Sequence, residues 1–231
     1  MRTLGLIGGT TWLSTIDYYK IINQLVNERL GGSHSAKILM YSVDFEEVRP
    51  PTDPKGWGQW GEIFIGIAKR LEQGGADCVI LCANTPHLMA NVIQKNIGIP
   101  LIHIAGATAN EIADHKITTV GLLGTRLTME QAFFKDRLTA QGITAIIPDK
   151  DERDFINTSI FDELGKNIFT PETKATYLGI IGELKQRGAK GIILGCTEIP
   201  LLIKQTDCDL PLFDTTMIHA KAAVEFALKS N

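Results

Sequence analysis

The chain has 231 residues, of which 44% are hydrophobic and 21% charged, and a formal net charge of -3. That is core material for one large α/β domain or two small ones. The absence of a basic cluster speaks against nucleic acid as a partner. The four cysteines, at 78, 82, 196 and 208, have neither disulfide-framework density nor zinc-ligand spacing, so reduced thiols in a cytoplasmic protein are expected, with no metal site. The first apolar run turns at Gly8 and no later stretch approaches membrane-spanning length, so neither a signal peptide nor a membrane partner is expected.

Leu4-Gly-Leu-Ile-Gly reads as a strand entering a glycine turn, after which Ser14 or Thr15 can cap a helix through about Leu30. One Gly-Gly pair is not a dinucleotide fingerprint. Lys37 to Val43 is a second strand, and Glu46 to Gly61, with Arg49, three prolines and two tryptophans, reads as a loop over strand ends. A helix from about Gln59 to Gln73 leads through Gly-Ala into an apolar strand ending at Cys82, followed by Ala83-Asn84-Thr85-Pro86. Ile99 to Ile104 is a fourth strand and Ala105 to His115 a helix.

At Thr118 the pattern begins again. Gly5-Leu-Ile-Gly matches Gly121-Leu-Leu-Gly at an offset of 116, Gly75-Ala matches Gly188-Ala at 113, Cys82 matches Cys196 at 114, and Ile99-Pro-Leu-Ile matches Leu210-Pro-Leu-Phe at 111. This is an internal duplication, and it predicts two similar α/β domains rather than one sheet. The second half carries a helix from Met129 to Gln141, a strand at Thr144 to Pro148, an acidic helix start at Asp149 to Asp154, and a helix capped by Thr170. Gly191 to Gly195 is a buried strand that delivers Cys196 to a sheet edge, and Asp214 caps a last helix from Thr215 to Leu228. About four strands alternating with helices in each half imply parallel sheets, and matching strand ends imply a pocket between the domains.

A thiol can donate a proton and its thiolate can remove one. One such group on each face of a carbon bearing an acidic hydrogen can invert that centre, provided donors hold the carbanion-like intermediate. Asn84, Thr85 and Thr197 stand beside the two cysteines and can supply such donors, or serve as helix caps.

The sequence resembles the aspartate/glutamate racemases over essentially its whole length. The residues that carry the resemblance are Gly8-Gly9-Thr10 with Trp12 and Ser14-Thr15, Tyr18-Tyr19, Leu30-Gly-Gly-Ser-His-Ser-Ala and Ser42-Val-Asp-Phe. It continues through Asn84-Thr85 with His87, Leu123-Gly-Thr-Arg with Thr128-Met-Glu-Gln, and Gly195-Cys-Thr-Glu. What the resemblance implies is two pseudo-symmetric domains, residues 1–104 with 210–231 and residues 105–209, the last helix returning to the first domain. It also implies an interdomain site, a homodimer, no cofactor, and a small amino-acid substrate of acidic type racemised by cysteine thiols. Cys196 is the expected catalytic residue, with Cys82 as the second. Substrate contacts are expected from Thr10, Thr11, Arg49, Asn84, Thr85, Thr125, Lys166, Thr197 and Glu198. One departure stands out: in two-cysteine members the first cysteine directly precedes Asn-Thr, whereas here Ala83 does. Because neighbouring strand residues face opposite ways, Ala83 then takes the substrate-facing position and Cys82 turns to the core, unless the strand has already ended in a turn. A single-cysteine decarboxylase or one-sided proton transferase of this fold, and a catalytically decayed amino-acid-binding protein, are the alternatives.

Overall fold

The computed structural model describes residues 1–229. The chain divides into two compact units, one of residues 1–104 with those from His219 onward, the other Ala105–Ile218.

The first unit opens with β1 (Leu4–Gly8), buried along its whole length, followed by α1 (Trp12–Leu30), β2 (Ile38–Ser42), α2 (Trp57–Gln73), β3 (Cys78–Leu81) and α3 (Ala90–Gln94). The three strands form a parallel sheet in the order β2-β1-β3. Its two faces are covered differently. Ile7, Val79 and Leu81 pack with Trp60, Phe64, Ile67 and Leu71 of α2. Leu4, Leu6, Cys78, Ile80 and Cys82 pack with Tyr18, Ile22 and Val26 of α1 and with Ala220, Ala223 and Val224 near the C-terminal end. Helix α1 starts earlier than the sequence implies. Thr11 is its N-cap, its hydroxyl accepting from the Ser14 amide at 3.4 Å, while the Ser14 hydroxyl lies 2.8 Å from the Thr11 carbonyl oxygen and 3.0 Å from that of Cys82, and the Thr15 hydroxyl accepts from the Gly9 amide at 2.7 Å. Both hydroxyls thus hold the turn after β1 in place. The loop after β2 is held by tryptophan: Trp60 Nε1 donates to the Val48 carbonyl at 2.8 Å. The expected fourth strand shrinks to one bridge, Val79 with Leu101. Only the Pro100 carbonyl and the Ile102 amide meet β3, while the Leu101 amide donates to Gln94 Oε1 at 2.7 Å.

The second unit follows from α4 (Ile104–Asp114): β4 (Thr119–Gly124), α5 (Arg126–Glu130), α6 (Ala132–Thr139), β5 (Thr144–Ile146), α7 (Lys150–Asp162), α8 (Pro171–Gln186), β6 (Ile192–Gly195), α9 (Ile199–Leu202) and β7 (Leu212–Asp214). Its parallel sheet has the order β5-β4-β6-β7. Ile192 and Leu194 pack with Ile156 and Ile160 of α7 and Tyr177, Ile181 and Leu184 of α8. The acidic start of α7 is a reciprocal cap between Asp149 and Glu152, and Thr170 caps α8 by accepting from the Thr173 amide at 3.1 Å. Helix α10 (Thr215–Leu228) follows, with Asp214 accepting from the Thr216 amide at 2.9 Å and the Met217 amide at 3.2 Å. Because β7 pairs with β6, residues 210–218 stay with the second unit, and the return to the first begins at His219 rather than at residue 210. Among the described residues no helix is long and apolar enough to cross a membrane.

Candidate active site

Both units place their polar, chemistry-bearing residues at the carboxyl ends of parallel strands, where open α/β sheets bind ligands. In the second unit Cys196, Thr197 and Glu198 form the bend between β6 and α9. The bend turns the Cys196 thiol onto its own neighbour: Sγ donates to Glu198 Oε2 at 2.8 Å. Glu198 is only 5% exposed and Thr197 9%, while Cys196 is half-buried. Burial raises the Cys196 pKa well above the ordinary thiol value, and the charge and hydrogen bond of Glu198 push it the same way; the backbone amides of Glu198 and Thr197 oppose the shift. The sulfur therefore rests as a thiol beside a ready proton acceptor. On the adjacent strand Thr125 caps α5, its hydroxyl 3.1 Å from that of Thr128. Thr215 donates to the Leu194 carbonyl at 2.9 Å, tying the start of α10 to β6. The buried Thr216 hydroxyl beside it has no hydrogen-bond partner among the described residues. Nothing in the sequence singled out Thr216; its one signal was the position just past a strand.

In the first unit, Thr10 and Thr11 follow β1, and the bend of residues 82 to 84 follows β3, the strand beside it. The Thr10 hydroxyl is buried without a partner among the described residues. Asn84 is 4% exposed, and Thr85 opens the 3-10 helix Thr85–Met89. Cys82 is fully buried on the α1 face, and burial drives its pKa far above the ordinary thiol value. Ala83 is half-buried.

Ladder register decides which residue of this end corresponds to Cys196. Gly5 of β1 pairs with Val79 and Gly121 of β4 pairs with Ile192. The matching glycines thus make Val79 the counterpart of Ile192, an offset of 113. Independent features repeat at that interval. The Ala76 amide donates to the Leu71 carbonyl as the Ala189 amide does to Leu184, both at 3.0 Å. Gly75 and Gly188 both end their helices with positive φ, 93° and 103°. Continued along the strand, the offset matches Gly195 with Cys82 and Cys196 with Ala83. The sequence match of Cys82 to Cys196 is one residue out of register. Core packing agrees, since Val79 and Leu81 face α2 as Ile192 and Leu194 face α8.

The two expected cations are exposed and engaged elsewhere. The Arg49 side chain is 63% exposed and pairs with Glu46 at 3.0 Å; the Lys166 side chain is 61% exposed and pairs with Asp162 at 3.7 Å. Among the described residues no group of three His, Cys, Asp or Glu side chains could hold a metal ion.

A family model described as Asp/Glu/Hydantoin racemase matches residues 7–223. The chain belongs to this family. It is 46% identical to a Yersinia pestis protein proposed to be an Asp/Glu racemase, covering 99% of this chain and 100% of that one, with a TM-score of 0.94. It is 35% identical to an aspartate racemase homologue from Pyrococcus horikoshii, over 99% of this chain and 100% of that one, with a TM-score of 0.87. The broad specificity amino-acid racemase RacX of Bacillus subtilis is 27% identical over 161 residues, 70% of this chain and 69% of RacX. The family's two parallel sheets flanked by helices are those described above, and racemases are isomerases.

Proposed function

We propose that this family member racemises a small amino acid, with Cys196 moving the Cα proton on one face. The thiol placed 2.8 Å from Glu198 Oε2 carries this reading. The thiol proton passes to Glu198, leaving a thiolate, and the thiolate takes the Cα proton. The electron pair left on Cα delocalises into the substrate carboxylate. A water proton delivered to the opposite face inverts the centre, and the hydroxide left takes up the proton held by Glu198, whereas return of the proton from sulfur to the first face regenerates the substrate. The backbone amides of Thr197 and Glu198, which lower the Cys196 pKa, stabilise the thiolate in between. No cofactor is needed for this sequence of proton transfers. The chain's full-length likeness to the aspartate racemase homologue supports an acidic substrate, and RacX, described as of broad specificity, supports a wider panel. Thr10, Thr11, Asn84, Thr85, Thr125 and Thr197 supply the neutral donors for substrate. Arg49 and Lys166, engaged with carboxylates and exposed, are the least favoured of the expected contacts.

A second reading rests on Ala83. With an alanine at the register counterpart of Cys196 and Cys82 sealed in the core, one face has a competent thiol and the other depends on a weaker donor. One-sided proton transfer, including protonation after decarboxylation, is then the alternative chemistry. Proton NMR in heavy water, with both enantiomers of aspartate, glutamate and a panel of other amino acids, separates the two. Racemisation predicts deuterium at Cα together with inversion, and Cys196→Ala lowers the rate by about 10²–10⁴-fold. Undiminished exchange in folded Cys196→Ala would end the thiol mechanism, and carbon dioxide release from an aminomalonate-type or arylmalonate-type acid would favour the second reading.

A further inference from the structure

Behind the first strand end lies a buried polar cluster that the proposed chemistry does not use. His87, 1% exposed, sits on the 3-10 helix after β3, its Nδ1 2.9 Å from the carbonyl oxygen of Ala83. A carbonyl only accepts, so the His87 proton is on Nδ1 and Nε2 carries the lone pair. That Nε2 is buried with no hydrogen-bond partner among the described residues. The ring lies 4.9 Å from that of His103 and 5.3 Å from that of His219. His219 is locked in the other tautomer: Nε2 donates to the Ile102 carbonyl at 2.7 Å, and Nδ1 accepts from Tyr18 at 2.8 Å. The cluster thereby joins α1, the segment before α4, α10 from His219 on and the 3-10 helix within one unit.

We infer that His87 is a positioning residue: its Nδ1–H clamps the Ala83 carbonyl and so sets the bend that presents Ala83, Asn84 and Thr85 to substrate. The bend needs such a clamp, because the Cys82 amide, 2.9 Å from the Ile7 carbonyl oxygen, makes the last ladder bond, and Pro86 has no amide proton to give the Ala83 carbonyl a turn bond. Burial, followed by the nearby His103 and His219, pulls the His87 pKa well below the ordinary imidazole value, so the ring stays neutral with one tautomer. The inference rests on the reading that residues 83–85 face substrate, and it adds a residue that touches no substrate itself.

Two substitutions separate the two ring nitrogens. The amide nitrogen of asparagine falls near the place of Nδ1, whereas that of glutamine falls near Nε2. His87→Asn keeps a donor for the Ala83 carbonyl and should leave KM within about threefold of wild type, while His87→Gln loses it and should raise KM by about tenfold or more with a smaller change in kcat. The same ranking is expected in the Kd of a non-reacting amino-acid ligand measured by titration calorimetry, which reports on the clamp even if the protein proves not to racemise. Long-range nitrogen–proton NMR of the histidine rings needs no ligand at all: His87 should show the Nδ1–H tautomer, unchanged between pH 5 and 8. Observation of the Nε2–H tautomer at His87 overturns the inference. So do equal KM or Kd values for the two folded variants, whether both match wild type or both are impaired.

Discussion

The two substitutions at the end of β3 make opposite demands on the active-site reading. Cys82→Ala removes one sulfur from a fully buried site among Tyr18, Ile22 and Ile80. The lost transfer energy resembles that of one buried methylene, about 0.8 kcal/mol, and an unfilled void of about 20 Å³ adds about 0.5 kcal/mol. The expected cost is about 1–1.5 kcal/mol of stability with no chemical effect. Ala83→Cys does the reverse: it places a thiol at the register counterpart of Cys196 in a half-buried position. If the slow direction of wild type lacks only a competent acid/base, the new thiol should accelerate it by about tenfold or more, within the range for one positioned acid/base group. The assay is NMR in heavy water starting separately from each enantiomer, together with chemical denaturation. All three tryptophans lie in the first unit, so their fluorescence follows unfolding where the substitutions are made. Loss of racemisation in folded Cys82→Ala, or no gain from folded Ala83→Cys in either direction, would refute the register argument as a guide to chemistry.

Glu198→Gln removes the negative charge that disfavours the Cys196 thiolate while leaving an amide oxygen that can accept from the thiol, so the thiol pKa falls toward the ordinary value and the limb on which the exchange rate rises with pH moves to lower pH; an unmoved limb contradicts the pairing. Gly9→Ala forces a side chain onto φ 89° and brings its Cβ to 2.1 Å from the Val43 carbonyl oxygen. It should cost about 2 kcal/mol or more by denaturation, and a neutral result would show that the turn after β1 is free to relax. His219 has its pKa lowered by burial from 6.5 to about 4. The unfolded chain therefore binds the proton first, and stability declines as pH falls from 6.5 toward 4, by about 3 kcal/mol from this group. His219→Gln should flatten that part of the stability curve followed by tryptophan fluorescence, and an equally steep curve in the folded variant would assign the decline elsewhere.

Much of this protein is written in local patterns. Apolar runs bounded by glycine mark β1, β3, β4 and β6, and Thr170 and Asp214 cap the helices that the residue pattern assigns to them, because a cap is an interaction with amides two or three residues away. The duplication and the setting of Cys196 are likewise visible, since both lie in contiguous residues. What depended on distant partners was not. Ser14 and Thr15 are good caps by type, yet their hydroxyls bond to Cys82 and Gly9, and Thr11 caps the helix. Residues 99–104 are apolar enough for a strand, but their ladder with β3 stops after the single bridge of Val79 with Leu101, and α4 begins at Ile104. Arg49 and Lys166 had the right charge, and only folding showed that each meets a carboxylate at the surface. The pairing of Ala83 with Cys196 illustrates the division most sharply. Spacings of 113 and 114 both occur in the sequence, and a one-residue change of register exchanges the two faces of a strand. Backbone hydrogen bonds between strands far apart in the chain choose between them, so that choice belongs to the tertiary structure.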